Sequence, residues 1–453
     1  MITPPELQAR LDRAAADWHL PGAAIALVDG DQAVVAVTGV TNVRTRSAVV
    51  PETLFAAGSV TKIFTASLMM SYVDAGLVDL DSPVQALLPD FTLQDHGRSR
   101  LVTVRMLLDH TSGLPGNWML DLPKSPHMIA DLVARLADLP FNSEPGEWWS
   151  YSNAGMAVLG RIAEVLSGTT FDEALAARIL SPLGLHATAD TNEMILHSIA
   201  VGHLVDMATG VAEVVPRFQL DVSNSPAGST LCCDIGALVT FARMHLNGGL
   251  GPDGIRVLSA ASVAAMQAPQ AAMPWGLGYD NMGLGWTIRT SGGHTVVSHT
   301  GANAGAHSSL ALVPEQQGAV AVLTNGTTGA AVHGMLTAQL MQECFGVGPV
   351  MPVTAPALPV AVDLDRYTGR FIADDGEVTL TMENGRLRFA PGSAPGLLRS
   401  FHLMGFPPPG PDLLTPFAAD GRFVSDRGMP VSFIDDSAGR PEYLYVGRIY
   451  RRA

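Results

Sequence analysis

The chain reads as an α+β protein in two units: an antiparallel sheet flanked by helices and carrying a helical subdomain, then a small β-barrel. Three observations predict this. At 453 residues the chain is too long for one ordinary core. Strand-like apolar runs lie near both ends of the first three-quarters of the chain with helical patterns between them, the order of a sheet layer interrupted by a helical insertion. Beyond a proline-rich stretch the pattern changes to short alternating strands, as in a small antiparallel barrel. The expected organisation is a first domain over 1–346, a linker over 347–362 and a barrel over 363–453.

Residues 4–18 have a Pro-Pro start and Leu7, Leu11 and Ala14 at helical spacing. Residues 22–28 and 33–38 are apolar runs around Asp-Gly-Asp, a hairpin signal. The stretch from Phe55 to Val73 reads as helical after a Gly58-Ser59 start, and 101–108, 128–138 and 153–167 also read as helices. The last meets Gly168, the residue a left-handed cap favours. A helix is predicted over 234–247, strands over 294–299, 308–313 and 319–324, and a helix over 330–344. In the barrel, Asn384-Gly385 between 378–382 and 386–389 marks a tight hairpin, and 431–434 and 443–450 continue the alternation.

Composition narrows the function classes. Charged residues are only 15% of the chain and the net charge is −15, with no basic block, so nucleic-acid binding is not expected. The stretch from Arg289 to Glu343 holds one charged residue, Glu315, but is rich in Gly, Thr, Asn, Gln and His and is no membrane span. The first residues show no basic region followed by an apolar one, and the three cysteines include an adjacent pair, Cys232-Cys233. A cytoplasmic location with reduced thiols is expected. No His-Glu-x-x-His helix or Gly-x-Ser-x-Gly elbow occurs, and neither lysine sits in a P-loop; no metal or cofactor is expected. Gly249-Leu-Gly251-Pro-Asp-Gly254 matches a dinucleotide fingerprint but follows a helix, so it reads as a turn.

Lys62 and Lys124 are the only lysines, and Lys62 stands in Ser59-Val60-Thr61-Lys62. On a helix, positions three apart share a face, so the amine reaches the hydroxyl. A serine hydroxyl is a weak nucleophile until a base takes its proton. A helix N-terminus disfavours the protonated amine and suits Lys62 to that task. The same four-residue pattern also arises by chance in chains of this size. Tyr151-Ser152-Asn153 opens a helix; Ser152 or Asn153 reads as its cap, while the Tyr151 phenol, beside an ammonium, could ionise and shuttle protons. His299-Thr300-Gly301 lies on a predicted buried strand. His299 reads either as a core residue or as a polar group facing the serine, and Gly301 would let a substrate backbone approach.

Together and in this order, these motifs resemble the penicillin-recognising serine hydrolases, the superfamily of class C β-lactamases, DD-peptidases, D-aminopeptidases and related esterases. The likeness extends to Leu107-Leu-Asp-His-Thr-Ser-Gly-Leu114, the segment from Pro145 to Gly160, Ala227-Gly228, Gly283-Leu-Gly-Trp286 and Leu323-Thr-Asn325, and covers residues 5–345. It implies a β-lactamase/transpeptidase-like fold with Ser59 as the acylated nucleophile and Lys62 and Tyr151 as proton carriers. It also implies an oxyanion hole from the amides of Ser59 and Ala302, and substrate contacts from Asn153, Thr300 and Gly301. His299 occupies the place where β-lactamases and DD-peptidases usually carry lysine, a departure typical of D-aminopeptidases, esterases and peptide-cyclising relatives. His110 reads as structural despite its prominent segment.

The single core domain, the lipocalin-like barrel and His299 are most similar to the stand-alone penicillin-binding-protein-type thioesterases. These release nonribosomal peptides from carrier proteins by head-to-tail macrocyclisation and take a D-configured C-terminal residue. The resemblance therefore implies a peptide substrate delivered as a thioester on a peptidyl carrier, with a D-stereospecific peptidase or esterase as the alternative. A catalytically idle ligand-binding protein is a third. Residues 440–453 hold Arg440, Arg448, Arg451 and Arg452 against one acid, Glu442. They read as solvated strand-edge charges or, for Arg448, as a side chain that enters the cleft and binds the peptide.

Overall fold

Strands far apart in sequence build the central sheet. The computed structural model describes all residues except 1, 119, 359, 375, 394 and 406–409. In chain order the first unit holds α1 (Pro4–Asp17), β1 (Gly22–Asp29), β2 (Gln32–Gly39), α2 (Thr61–Asp74), α3 (Asn153–Ser167), α4 (Ile235–Leu246), β3 (Ala271–Ala272), β4 (Asn281–Met282), β5 (Thr287–Ser291), β6 (His294–Asn303), β7 (Ala306–Val313), β8 (Gly318–Thr324) and α5 (Gly329–Phe345). The sheet order is β2-β1-β8-β7-β6-β5-β4-β3, antiparallel throughout. β1, β7 and β8 are buried along almost their whole length because both faces of the sheet are covered. Ala23, Ile25, Leu27, Val320 and Val322 pack with α1 and α5, while Ala24, Ala26, Ala319, Ala321 and Leu323 pack with α2 and α4. α2 is buried from Thr61 to Tyr72, which is why its sequence is apolar all round.

The helix expected from Phe55 is shorter. Phe55–Ala56 is a strand paired with Cys232–Cys233, Gly58–Val60 is a 3-10 turn, and α2 starts at Thr61. The helix expected over 101–108 begins at Val104, because the Thr103 side chain caps it. Gly168 does adopt the left-handed cap conformation at the end of α3 (φ 71°). The segment 249–254 is a turn.

The second unit is a closed eight-stranded barrel: β9 (Gly369–Ala373), β10 (Gly376–Glu383), β11 (Arg386–Ser393), β12 (Asp412–Pro416), β13 (Arg422–Ser425), β14 (Pro430–Asp435), β15 (Pro441–Tyr445) and β16 (Ile449–Arg452). The closing pair sets Phe371 opposite Arg452. Phe371, Phe389, Phe423 and Phe433 sit in its core, with Phe371, Phe423 and Phe433 in ring-to-ring contact, so side chains occupy its interior. The strand expected over 443–450 is broken at 446–448 by a tight turn, where Gly447 takes φ 70° and the Val446 amide donates to the Arg448 carbonyl. A helix that the alternation did not predict, α6 (Pro395–Met404), leaves the barrel between β11 and β12.

Three contacts clasp the barrel to the first unit. Asp374, after β9, accepts hydrogen bonds from the amides of Gly116 and Asn117 (3.0 and 3.3 Å) and from the Asn142 side chain (2.7 Å). Tyr443, Tyr445 and Ile449 pack against Trp149 and Met282. At the far side, the carbonyls of Leu403 and Met404 in α6 accept from the Gly305 amide (2.6 Å) and His307 Nε2 (2.9 Å).

Candidate active site

Ser59 sits in the 3-10 turn that leads into α2. Lys62 follows three residues later, in the first turn of α2, and so shares a face with Ser59. Its Nζ donates to Ser59 Oγ (3.1 Å) and to the Ala227 carbonyl (2.5 Å). Lys62 is fully buried, and burial, followed by the charge of Arg448, holds its amine well below the usual lysine range. Burial thus favours the neutral form of the amine, the form that can accept a proton. Gly58 is required here twice over. Its φ is +53°, and a Cβ would lie 2.6 Å from the Ala302 nitrogen.

The turn and the end of β6 come together through the second glycine. A Cβ on Gly301 would meet the Ala57 carbonyl at 2.2 Å and the Ser59 nitrogen at 2.9 Å. Asn303 and Ala306 close a two-residue hairpin, so the next pair, Ala302 and His307, falls on the non-hydrogen-bonded register. The Ala302 amide then faces the open edge of β6, beyond the Thr287–Ser298 pair where β5 begins. The amide nitrogens of Ser59 and Ala302 both lie at this contact between the turn and β6.

Tyr151 enters from the start of α3. Ser152, not Asn153, is the cap: its Oγ accepts from the Gly155 amide (2.9 Å) and donates to the Pro115 carbonyl (2.7 Å). The Tyr151 hydroxyl hydrogen-bonds Ser59, and the Lys62 amine lies 4.7 Å from the centroid of its ring. Burial pushes the phenol up to about 12, so it remains protonated. The phenol expected to ionise beside an ammonium stays protonated instead, because burial outweighs the hydrogen bond with Ser59 and the charge of Arg448. His110 shapes this wall. It holds left-handed backbone (φ 62°), accepts from the Ser152 amide at Nδ1 (3.3 Å), and packs its ring 4.7 Å from Tyr151.

Arg448 reaches the same ring from the barrel. It occupies the turn between β15 and β16, its guanidinium carbon lies 4.9 Å from the Tyr151 centroid, and Nη2 donates to Asn117 Oδ1 (2.7 Å). The other three arginines of that stretch are used locally: Arg440 with Asp436, Arg451 with Glu442, and Arg452 on the carbonyls of Pro441, Thr368 and Arg366. Asn153 donates to Asn117 Oδ1 (3.4 Å) and lines the cleft. His299 is buried, its Nδ1 bonded to the Thr300 carbonyl (2.6 Å). A carbonyl only accepts, so Nδ1 carries the proton. Burial first, then Lys62, pushes its pKa down to about 3, so it adds no positive charge. It stands 6.2 Å, ring to ring, from Tyr151.

The structure thus gathers Ser59, Lys62, Tyr151, Asn153, His299, Thr300, Gly301, Ala302 and Arg448 around one cleft of about 490 Å³. The sequence reading missed Asn117, His307, His333, Phe401 and Met404, which also line it. Phe401 and Met404 come from α6, and no local pattern announces them. No helix among the described residues is long and apolar enough to cross a membrane.

Comparison with known proteins places this geometry. Residues 7–342 match the beta-lactamase family. The chain is 37% identical over 373 residues to penicillin-binding protein 4 of Amycolatopsis lactamdurans, which covers 82% of this chain and 97% of that protein. It is 24% identical over 411 residues to D-aminopeptidase of Brucella canis, covering 87% and 72%. Among solved structures it is similar to SurE, with a TM-score of 0.83 at 27% identity over 99% of both chains, and to SurE with D-Leu, with a TM-score of 0.79.

Proposed function

The chain belongs to the beta-lactamase family, and we propose that within it the protein is a serine acyltransferase that takes a peptidyl group ending in a D-residue from a carrier-bound thioester and releases it by head-to-tail cyclisation. The observation that carries the acyl-enzyme chemistry is the fully buried Lys62 amine 3.1 Å from Ser59 Oγ, its pKa lowered by that burial.

Ser59 Oγ attacks the acyl carbon as its proton passes to Lys62 Nζ. The oxyanion is held by the amides of Ser59 and Ala302, fixed in advance by the packing of Gly58 on β6. The proton returns through Lys62 and the Tyr151 hydroxyl to the departing thiolate. In the second half, the peptide's own amine attacks the ester, its proton passes to the same pair, and Ser59 Oγ leaves with a proton. Arg448 supplies the cleft's positive charge, a task that neutral His299 cannot perform. Asn153 orients the substrate amide, and Thr300 and Gly301 on the open strand edge receive its backbone.

Preference for a D-residue is supported by the likeness to a D-aminopeptidase and to SurE with D-Leu. Cyclisation requires amine to outcompete water. The barrel favours this by bringing Arg448 and α6 over the two ends of the cleft, which reduces its water. The packed interior of the barrel argues for work at its rim rather than for a ligand in its lumen.

The test is a linear peptide presented as an N-acetylcysteamine thioester, with its last residue D or L. The D-epimer is expected to be consumed at least 100-fold faster, the scale set by a misplacement of about 1 Å, with the cyclic peptide as main product. Equal consumption of the epimers removes the stereochemical argument. Chiefly linear acid replaces the cyclase reading with the D-peptidase or esterase one, which the D-aminopeptidase similarity favours.

A further inference from the structure

β5 places Arg289 opposite Val296 of β6, on the sheet face turned toward α5. Between that face and α5 lies a cavity of about 370 Å³, lined by Arg289, Ser298, Thr300, Ser309, His333 and Thr337. It adjoins the catalytic cleft: Tyr279, His299, Thr300 and His333 line both. The linker bounds it through Pro349 and Val350.

Its lining is unlike that of an ordinary packing defect. Four hydroxyl-bearing residues line it, Ser298, Thr300, Ser309 and Thr337, with Ser309 Oγ 3.2 Å from Thr337 Oγ1. Among the described residues Arg289 has no ion-pair or hydrogen-bond partner. Asp280 and Tyr279 act on it electrostatically from nearby, without a direct hydrogen bond, and the Asp280 carboxylate accepts from the Thr290 amide (2.7 Å). His333 is held neutral, pushed down to about 3 by burial and then by His307, so it neither competes with nor duplicates the guanidinium. A half-buried arginine with an unused fork of donors, in a lining of hydroxyl-bearing residues, suits an oxyanion of phosphate or carboxylate type.

We propose that this cavity binds an oxyanion of the acyl donor, namely the phosphate of a phosphopantetheine arm, while the thioester lies at Ser59. The spacing is right for it. From Ala302 to Val296 the strand runs roughly 20 Å at its usual rise per residue, and the arginine side chain shortens that gap. The arm from sulfur to phosphorus is a little over four residues' worth of backbone, roughly 15 Å. The same chemistry on the peptide itself, an acidic side chain, is the other source. The inference rests on the thioester reading of the donor, and its test does not depend on turnover.

Titration calorimetry of the full chain with 4′-phosphopantetheine and with pantetheine is expected to show at least tenfold tighter binding of the phosphorylated form. Arg289→Gln should abolish the difference at an unchanged melting temperature, and raised salt should shrink it. Thr337→Phe, which fills the cavity from α5, should remove the same preference and serves if Arg289→Gln does not fold. A matched pair of D-terminal peptides with Glu or Gln identifies the second source: a Glu preference lost in Arg289→Gln assigns the cavity to a peptide carboxylate. Equal binding of both forms in each pair by the wild type, or preferences unchanged in the variants, overturns the proposal. Failure of thioester turnover alongside an Arg289-dependent preference overturns only the donor reading.

Discussion

Replacing Arg448 with alanine is expected to move the acidic limb of Ser59 acylation to higher pH. Only the neutral amine of Lys62 can accept the serine proton, so acylation is lost as pH falls through the Lys62 pKa. Arg448 keeps that pKa low, second only to burial. The Arg448 guanidinium carbon and Lys62 Nζ lie 4.9 and 4.7 Å from the centroid of one tyrosine ring, which puts them under about 10 Å apart. At an effective dielectric of ~20, unit charges at that distance repel by roughly 1.7 kcal/mol. Removing Arg448 raises the Lys62 pKa and carries the limb with it, and water entering the vacated space acts in the same direction. The assay is the burst of p-nitrophenol from p-nitrophenyl acetate against pH, a substrate with no peptide for Arg448 to bind. Arg448→Lys should hold the limb near its wild-type position. A limb that stays put in Arg448→Ala, or moves down, refutes the electrostatic role.

Ser59→Ala should remove the single acyl adduct seen by intact-mass analysis and leave the fold intact; an adduct that persists would displace Ser59 as nucleophile. Tyr151→Phe keeps the ring on His110 but loses the hydroxyl, and acylation should fall by about 10²–10⁴, read as a burst rate; a change under tenfold would take Tyr151 out of proton transfer. Asp374→Ala leaves the amides of Gly116 and Asn117 without their carboxylate, a loss of roughly 1–3 kcal/mol. It should lower the melting temperature and, by loosening the barrel over the cleft, raise the share of hydrolysed product; an unchanged product ratio would separate barrel docking from water exclusion.

What the sequence made legible follows from where the information sits. Ser59 and Lys62 are linked by local geometry, three residues on one face, so the spacing alone brought the amine to the hydroxyl. The 3-10 turn changed the element but not the pairing, since Lys62 still follows in the first turn of α2. The physical cause of the lowered amine pKa was misplaced: a helix N-terminus was expected to depress it, whereas burial dominates and a guanidinium from another domain adds to it. Burial of one lysine among buried neighbours is a tertiary fact with no local signature. For the same reason the Tyr151 phenol was misjudged, because its protonation follows from the dryness of the site rather than from its neighbours in sequence.

The barrel shows the boundary most clearly. Its alternation was readable strand by strand, yet the run at 443–450 looked continuous because Tyr443 to Val446 and Ile449 to Tyr450 both fit a strand. Gly447 breaks it, and the break is what carries Arg448 off the barrel wall and onto Tyr151. Had the strand continued, Arg448 would stand on the barrel wall with Arg451 and Arg452 instead of at the tip of a turn. Its position in the cleft therefore depends on one left-handed glycine and on the Asp374 clasp that holds the Asn117 loop within its reach. Neither feature touches substrate, and each sets the charge that Lys62 feels. The barrel's part in the chemistry is thus electrostatic before it is steric: it delivers a cation to a site whose own histidine is too deeply buried to provide one.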